Sequence, residues 1–288
     1  MESFLHDLTW VLPLRSETNT QIFTALSALG YTPFFLILLP LGYWLWDKAM
    51  FTRVAMLIGF VALTNSFLKD LFQDPRPALD LALDRKVGES FGFPSGHAQI
   101  AVAMWLWLAH EIKRGWAWGL AILIAAGVCF SRLYLGVHDV EDVLGGALLG
   151  LASIAIFALF VNDPTWSRLN PIVYLIVIAS IIPVLLFAWP RTPVPAPLFG
   201  LVAFLAAWWI GRLIERSSID YARHPNWLLA GLATALGLAT IFAITRLAAP
   251  LLEGLDPRIA QAIQFGLISL FVTAIAPALF RLARLARA

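Results

Sequence analysis

Charged residues are scarce in this chain, and the scarcity excludes an ordinary soluble domain. Of the 288 residues, 60% are hydrophobic and only 13% are charged, whereas a soluble domain carries about 25% charged residues. The mean hydropathy of +0.80 is typical of an integral membrane protein with several spans. We therefore predict an all-α fold, a polytopic bundle of membrane-spanning helices.

Cysteine is nearly absent as well. The single Cys129 lies in an apolar run, so the chain can form neither an intramolecular disulfide nor a cysteine-based metal site. We interpret this thiol as a small side chain of the hydrophobic core.

The start of the chain lacks the features of a signal peptide. Glu2 follows Met1 in place of a basic region, and no small-residue cleavage site comes after it. Apolar side chains instead surround Trp10. We expect residues 1–19 to form a short amphipathic segment that Trp10 anchors at the membrane interface.

Long apolar runs dominate the rest of the chain. A helix needs roughly 17–25 apolar residues to cross a bilayer, and this length predicts about nine spans. They cover approximately residues 20–45, 51–71, 94–110, 116–136, 142–162, 171–190, 196–214, 227–247 and 259–281. In the fifth run, Gly146 and Gly150 form a small-xxx-small step that predicts close packing of two helices.

The distribution of basic residues predicts the orientation of these spans. With nine spans the two ends of the chain lie on opposite sides, and eleven Lys and Arg residues fall on the side of the C-terminus. They are Lys48, Arg53, Lys113, Arg114, Arg168, Arg212, Arg216, Arg223, Arg281, Arg284 and Arg287. The positive-inside bias puts this side in the cytoplasm. We expect an integral protein of the bacterial inner (plasma) membrane with a cytoplasmic C-terminus.

Three polar clusters interrupt the apolar sequence, and the nine-span layout places all of them outside the cytoplasm. They cover residues 69–77, 91–98 and 131–142. Ionisable groups at membrane depth cost roughly 2.5–3.5 kcal/mol each at mid-bilayer. Lys69 and Arg76 would face the same way if their helix continued to Asp74. Together with Arg132 they would repel one another unless an anion such as phosphate lay between them.

The other groups of these clusters suit phosphate chemistry. Ser95 can cap a helix, Gly96 lets the backbone approach a ligand, and the first amides of the helix point at an anion. His138 and Asp142 are four residues apart and would meet on one helical face. A carboxylate bonded to one imidazole nitrogen leaves the other nitrogen free to act as a nucleophile.

Each of these residues taken singly also fits a plainer interpretation. Lys69 and Arg76 could extend to lipid headgroups, Arg132 could be an interface anchor, and a histidine at a helix end is usually solvated. The conjunction of all of them on one predicted face favours a site that includes His97.

Other ionisable residues near the clusters receive no role. The histidines His6, His110 and His224 have no comparable company. Asp139 and Glu141 are expected to face solvent, although either could replace Asp142 as the orienting carboxylate.

The three clusters resemble the signature of the type-2 phosphatidic acid phosphatase superfamily. That signature reads Lys-x6-Arg-Pro, Pro-Ser-Gly-His and Ser-Arg-x5-His-x3-Asp, and it is complete and in order at 69–77, 94–97 and 131–142. The resemblance covers about residues 20–165, which would form the phosphatase core. Residues 166–288 would then be a C-terminal extension of about four spans.

The resemblance implies a metal-independent phosphatase that uses no cofactor and forms a phosphohistidine. By analogy, His138 is the nucleophile, Asp142 orients it, and His97 protonates the leaving group and then helps to activate water. Five further residues would bind the phosphoryl oxygens: Lys69, Arg76, Ser95, Gly96 and Arg132. The residues by themselves do not decide which histidine is the acid.

The expected reaction is hydrolysis of a lipid phosphate, or of an isoprenoid or lipid pyrophosphate such as undecaprenyl pyrophosphate, at the extracytoplasmic membrane face. The partners are then the lipid substrate and the membrane lipids, with no nucleic acid; the oligomeric state stays open. The alternatives are a phosphotransferase, a phosphatase of a soluble phosphomonoester similar to glucose-6-phosphatases, and a non-catalytic lipid-phosphate binder or transporter. In the soluble-substrate case, loop 78–93 would form a polar lid. Vanadium-dependent haloperoxidases share the signature but are typically soluble, which disfavours them.

Overall fold

The computed structural model describes residues 5–84, 87, 90–165 and 169–287. Several residues used in the predictions above lie outside this part of the chain. They are Met1 and Glu2 of the amphipathic segment and Arg168 of the basic set. Residues 85, 86, 88 and 89 of the proposed polar lid lie outside it as well.

α-Helices make up most of the described chain, which confirms the predicted all-α fold. The first six are α1 (Glu17–Ala28), α2 (Thr32–Leu45), α3 (Lys48–Phe72), α4 (Gly96–Ile112), α5 (Gly115–Tyr134) and α6 (Val140–Asn162). They are followed by α7 (Pro171–Ala179), α8 (Ile181–Phe187), α9 (Ala196–Ile214), α10 (Trp227–Leu251), α11 (Pro257–Leu270) and α12 (Ala276–Leu282).

Shorter elements complete the chain. 3₁₀ helices cover Thr9–Leu14 and Leu79–Leu81. A π-helical turn, Glu215–Ile219, extends α9, and a second one, Phe271–Ile275, joins α11 to α12. Strands β1 (Ala222–Arg223) and β2 (Ala286–Arg287) pair in antiparallel orientation, with Ala222 opposite Arg287.

Within the described residues, six helices are long and apolar enough to cross a membrane, or seven if the bent pair α1 and α2 counts as one span. They are Lys48–Phe72, Gly115–Tyr134, Val140–Asn162, Ala196–Ile219, Trp227–Ala248 and Pro257–Leu282. The predicted count of nine spans is therefore not confirmed. α4 has 17 residues and is shorter than each of these six helices.

Proline explains why two predicted spans are not single helices. The run 20–45 divides into α1 and α2, which meet at an angle of 56°. Pro33, the second residue of α2, has no N–H to donate to the Leu29 carbonyl, so one helix cannot continue without interruption through this point. In the run 171–190, Pro183 has no N–H for the Ala179 carbonyl, and the helix is interrupted at Ser180.

One compact unit consists of Met1–Phe35 and Phe60–Ser167. In it, α4 packs against α5 and α6, and α1 packs against α5. An added Cβ would lie 2.4 Å from the Ser95 carbonyl oxygen at Gly146, and 2.8 Å from the Gln99 carbonyl oxygen at Gly150. The predicted close packing at these glycines is confirmed, and it holds the start of α4 beside the start of α6.

The other compact unit consists of Leu36–Gly59 and Arg168–Ala288. In it, α9 packs against α11, and a buried carboxylate, Glu215, lies at the end of α9. Lys48 Nζ donates to Glu215 Oε1 at 2.6 Å, the Tyr221 amide donates to the same oxygen at 2.8 Å, and Arg212 binds Oε2. This unit therefore satisfies its buried charge internally.

Candidate active site

The Pro94–His97 turn places a serine hydroxyl and an imidazole at the start of α4. Ser95 occupies the N-cap position, and its amide donates to the Asp142 carbonyl oxygen at 2.9 Å. Its hydroxyl makes no capping bond and has no partner among the described residues, although Ser95 is fully buried. The prediction that this hydroxyl caps the helix is wrong, and the oxygen is left available to a ligand.

The side-chain amides of Asn65 and Gln99 are buried beside this turn and support it by hydrogen bonds. Asn65 Nδ2 donates to the Pro94 carbonyl oxygen at 3.1 Å and to Gln99 Oε1 at 2.9 Å. A Cβ at Gly96 would lie 2.9 Å from Asn65 Oδ1, so α3 can approach the turn this closely only because residue 96 is glycine. The sequence motif explains neither Asn65 nor Gln99.

His138 and Asp142 form the predicted contact by a different local route. His138 precedes α6, so the two residues do not share a helical face. Asp139 is the N-cap of α6 and accepts from the Asp142 amide at 2.9 Å in a reciprocal capping box. This turn brings His138 Nδ1 to 2.8 Å from Asp142 Oδ2.

Arg76 fixes the tautomer of His138. Its Nη1 lies 3.1 Å from His138 Nε2, and because a guanidinium can only donate, Nε2 must be the acceptor. The ring proton is then on Nδ1 and is donated to Asp142. Burial lowers the pKa of His138 well below its usual value and the charge of Arg76 lowers it further, so the ring is neutral, as a nucleophile requires.

Asp139 is buried and caps α6, so the prediction that it faces solvent is wrong. Its second oxygen lies 2.6 Å from His6 Nδ1. His6 therefore contacts an ionisable residue of the third cluster, which the sequence did not reveal. Glu141 is exposed, in agreement with the prediction. Neither carboxylate contacts His138 in place of Asp142.

Lys69 and Arg76 do not share a helical face, because α3 ends at Phe72. Both side chains instead bind the same loop, residues 90–92. Lys69 Nζ donates to the carbonyl oxygens of Phe91 and, at 2.7 Å, Gly92. Arg76 Nε donates to the Ser90 carbonyl oxygen at 2.6 Å. Burial lowers the pKa of Arg76 to about 10, so its guanidinium stays charged at neutral pH.

Arg132 is fully buried at the last turn of α5. Its Nη1 contacts Ser27 Oγ and lies 3.3 Å from Asp84 Oδ2. Its Nε and Nη2 have no partner in the described part of the chain. A guanidinium held at one nitrogen, with two N–H groups unused, is suited to bind two oxygens of one anion.

Of the unpartnered buried atoms among the described residues, those on Arg15, Trp105 and Trp107 lie outside the three motifs. The other five lie in this site: Ser95 Oγ, His97 Nε2, Arg132 Nε and Nη2, and Asp142 Oδ1. A buried polar atom without a hydrogen-bond partner costs about 1–3 kcal/mol. A bound phosphate would supply a partner to the first four of these five atoms. No group of three or more His, Cys, Asp or Glu residues able to hold a metal ion occurs among the described residues.

Comparisons with known proteins support the motif resemblance. The profile of the PAP2 superfamily matches residues 50–166. A second profile, described as the transmembrane extension of PAP2 superfamily phosphatases, matches residues 199–288.

Curated relatives match the part of the chain that carries the motifs. Sphingosine-1-phosphate phosphatase 2 of Mus musculus is 28% identical over 157 residues, 52% of this chain and 43% of the relative. Phosphatidylglycerophosphatase B of Bacillus subtilis is 30% identical over 151 residues, 48% of this chain and 73% of the relative. Lipid A 4'-phosphatase of Bacteroides thetaiotaomicron is 30% identical over 155 residues, 51% of this chain and 67% of the relative.

The extent of these matches differs between relatives. The chain spans less than half the length of the mouse protein, but it covers two thirds or more of both bacterial ones. Together with the two profile matches, this coverage confirms the resemblance carried by the three motifs: the chain is an integral membrane protein that belongs to the PAP2 superfamily.

Proposed function

We propose that this protein is a membrane phosphatase that hydrolyses a phosphorylated lipid through a phosphohistidine on His138. The observation that carries the proposal is the hydrogen-bonded row Asp142–His138–Arg76. Asp142 accepts from Nδ1 at 2.8 Å, and the opposite nitrogen faces a cation at 3.1 Å. A neutral imidazole with its lone pair aimed at an anion-binding group is arranged for attack on phosphorus.

In the first step, Nε2 of His138 attacks phosphorus and the bond from phosphorus to the lipid oxygen breaks. His97 gives its proton to the departing alkoxide, so the lipid leaves as an alcohol. Arg76 must exchange its bond to Nε2 for one to a phosphoryl oxygen, since Nε2 cannot be an acceptor and a nucleophile at once. Asp142 stabilises the positive charge that develops on the imidazole ring.

In the second step, water attacks the phosphohistidine. His97, now neutral, accepts a proton from that water, the N–P bond breaks, and inorganic phosphate leaves. The fixed cations Lys69, Arg76 and Arg132, together with the Ser95 hydroxyl and the amide of Gly96, would stabilise the charge on the phosphoryl oxygens in both steps.

The names of the relatives suggest the substrate class. They refer to sphingosine 1-phosphate, phosphatidylglycerophosphate and lipid A, each a lipid that carries a phosphate ester. We propose a lipid phosphate as substrate, with a lipid pyrophosphate such as undecaprenyl pyrophosphate as the second possibility.

The location of the reaction is also a proposal. We place the site at the extracytoplasmic face of a bacterial inner membrane and the C-terminus in the cytoplasm, on the charge bias of the loops. The division into an amphipathic segment 1–19, a core 20–165 and an extension 166–288 stays a prediction.

A phosphate-release panel tests the function. Purified protein is offered sphingosine 1-phosphate, phosphatidylglycerophosphate, phosphatidic acid, lipid A and undecaprenyl pyrophosphate, with glycerol 3-phosphate as a headgroup lacking a lipid tail. We expect release from at least one lipid and little from glycerol 3-phosphate.

Two variants make the panel decisive. His138→Ala is expected to abolish release and to prevent trapping of labelled phosphate on the protein, whereas His110→Ala, the replacement of an exposed histidine at the end of α4, keeps both. Equal release by wild type and His138→Ala would overturn the proposal. Faster release from glycerol 3-phosphate than from any lipid would identify a soluble-substrate phosphatase.

A further inference from the structure

The break between α1 and α2 contacts two of the predicted site residues. It contains Gly30 and Tyr31 and follows Ser27 in the last turn of α1. None of the three motifs includes this segment, and it precedes the residues that the PAP2 profile matches, 50–166. Its side chains nevertheless reach His97 and Arg132.

Gly30 lies against the imidazole of His97. A Cβ added to Gly30 would be 2.2 Å from His97 Cδ2 and 2.8 Å from Cγ. Both distances are far below van der Waals contact, so any side chain at this position must displace the ring. The absence of a side chain at residue 30 therefore sets how close the helix break approaches His97.

Tyr31 holds another side of the same imidazole. The two ring centroids are 4.4 Å apart and the rings meet edge to face at 77°. The guanidinium carbon of Arg132 lies 5.9 Å from the Tyr31 ring centroid, within the range of a cation–π contact. Tyr31 thus packs on the predicted acid and on a predicted phosphate ligand.

Asp84 fixes Tyr31 and Arg132 together. Its Oδ2 accepts from the Tyr31 hydroxyl at 2.6 Å and lies 3.3 Å from Arg132 Nη1. The Asp84 side chain is only 11% exposed and that of Arg132 is fully buried, so solvent screens the pair weakly. The carboxylate holds Nη1 and leaves Nε and Nη2 of Arg132 for a ligand.

We infer that Gly30, Tyr31 and Asp84 are positioning residues for phosphoryl transfer: Gly30 and Tyr31 fix the imidazole of His97, and Asp84 fixes Tyr31 and the guanidinium of Arg132. None of the three touches the reacting atoms. The inference rests on the proposed function, in which His97 is the acid and Arg132 binds the phosphoryl group. Placement within a fraction of an ångström matters, because a misplacement of 1 Å can cost about 10²-fold in rate.

Leaving-group dependence tests the part played by Gly30 and Tyr31. The probes are the lipid with the highest rate in the panel above, whose alkoxide must be protonated, and p-nitrophenyl phosphate, whose phenolate leaves without a proton. The constant kcat/KM reports only the steps up to departure of the leaving group, so the later role of His97 in the attack of water does not enter it. Gly30→Ala should lower kcat/KM on the lipid by about 10²-fold and on p-nitrophenyl phosphate much less. Tyr31→Phe keeps the ring and removes the hydrogen bond to Asp84. It should lower kcat/KM on the lipid by about 10-fold and on p-nitrophenyl phosphate much less.

Asp84→Asn tests the second part. An asparagine oxygen can still accept from the Tyr31 hydroxyl, but the charge that holds Arg132 is lost. Releasing Arg132 weakens a contact to the phosphoryl group, which both probes share, so kcat/KM should fall by about 10-fold on both. Gly119→Ala is the matched control for Gly30→Ala, because nothing lies within 4 Å of a Cβ at that helical glycine. It should leave all rates unchanged.

His97→Gln separates failure of the inference from failure of the proposed function. If His97→Gln lowers kcat/KM equally on both probes, the acid role of His97 fails and the inference fails with it. If His97→Gln shows the leaving-group bias and a folded Gly30→Ala protein does not, the positioning role alone is overturned. Should Gly30→Ala not fold, Tyr31→Phe decides by the same comparison.

Discussion

In the unit formed by Met1–Phe35 and Phe60–Ser167, several buried polar atoms of the predicted site lack partners among the described residues, whereas in the other unit a buried carboxylate is fully paired. Ser95, His97, Arg132 and Asp142 each carry at least one such atom. Among the described residues of Leu36–Gly59 and Arg168–Ala288 none is found, and Glu215 has three donors.

This difference separates groups that bind from groups that hold the fold. An unpartnered buried atom costs about 1–3 kcal/mol, and that cost is recovered only when a ligand supplies the partner. A buried charge with all its partners instead makes the fold depend on each of them. Substitutions that remove the unpartnered site atoms should therefore change the rate with little change in stability, and substitutions at Glu215 should do the reverse.

The largest effect is expected from Asp142→Asn. An amide in place of the carboxylate no longer holds the proton on Nδ1 of His138, and the corresponding change in a catalytic triad costs about 10⁴-fold in kcat. We expect a loss of about 10³-fold or more in phosphate release with a preserved unfolding temperature. Glu141→Gln, at the exposed neighbouring carboxylate, is the control and should be fully active.

Glu215→Gln should instead act on stability. Removing one partner of a buried ion pair costs about 3–5 kcal/mol, and the lower end applies because Lys48 and Arg212 are 23% and 20% exposed. The thermal midpoint in detergent should fall clearly below that of Glu253→Gln, an exposed control. An unchanged midpoint, or a lower kcat per folded molecule, would contradict the division between the two units.

Ser95→Ala compared with Ser269→Ala sharpens the same contrast with one chemical change. The Ser95 hydroxyl has no partner in the described chain, so its loss should not lower the unfolding temperature, while kcat/KM falls by about 10–100-fold. Ser269 is equally buried but donates to the Phe265 carbonyl oxygen at 2.8 Å. Its replacement should cost about 1 kcal/mol of stability and leave kcat/KM unchanged.

The smallest effect concerns pH. Burial and the charge of Arg76 lower the pKa of His138. In the free enzyme His138 should therefore stay neutral at pH values below about 6.5, the usual pKa of a histidine. Removing the charge in Arg76→Gln raises the pKa of His138, and the acid limb of the kcat/KM profile should move to higher pH. Arg114→Gln, at an exposed arginine, should leave the limb in place; a shift to lower pH in Arg76→Gln would contradict the assignment.

Local sequence spacing predicted some features of the fold correctly. The short separation of His138 and Asp142 forces them together in any compact turn, so their contact followed even though a capping box, not a helical face, forms it. Gly146 and Gly150 predicted a close helix crossing because small residues permit it whatever the partner. Pro33 and Pro183 indicate the two broken spans, but the nine spans were predicted from the length of the apolar runs alone.

By itself, the sequence determined the all-α membrane fold and pointed to eight candidate site residues within the three motifs, because composition and spacing are properties of the chain. Only the tertiary structure decided how these residues are held. It freed the Ser95 hydroxyl, buried Asp139, ended α3 before Arg76, and brought Gly30, Tyr31 and Asp84 to His97 and Arg132. Contacts between residues far apart in the chain depend on how the helices pack, and no short-range pattern records that packing.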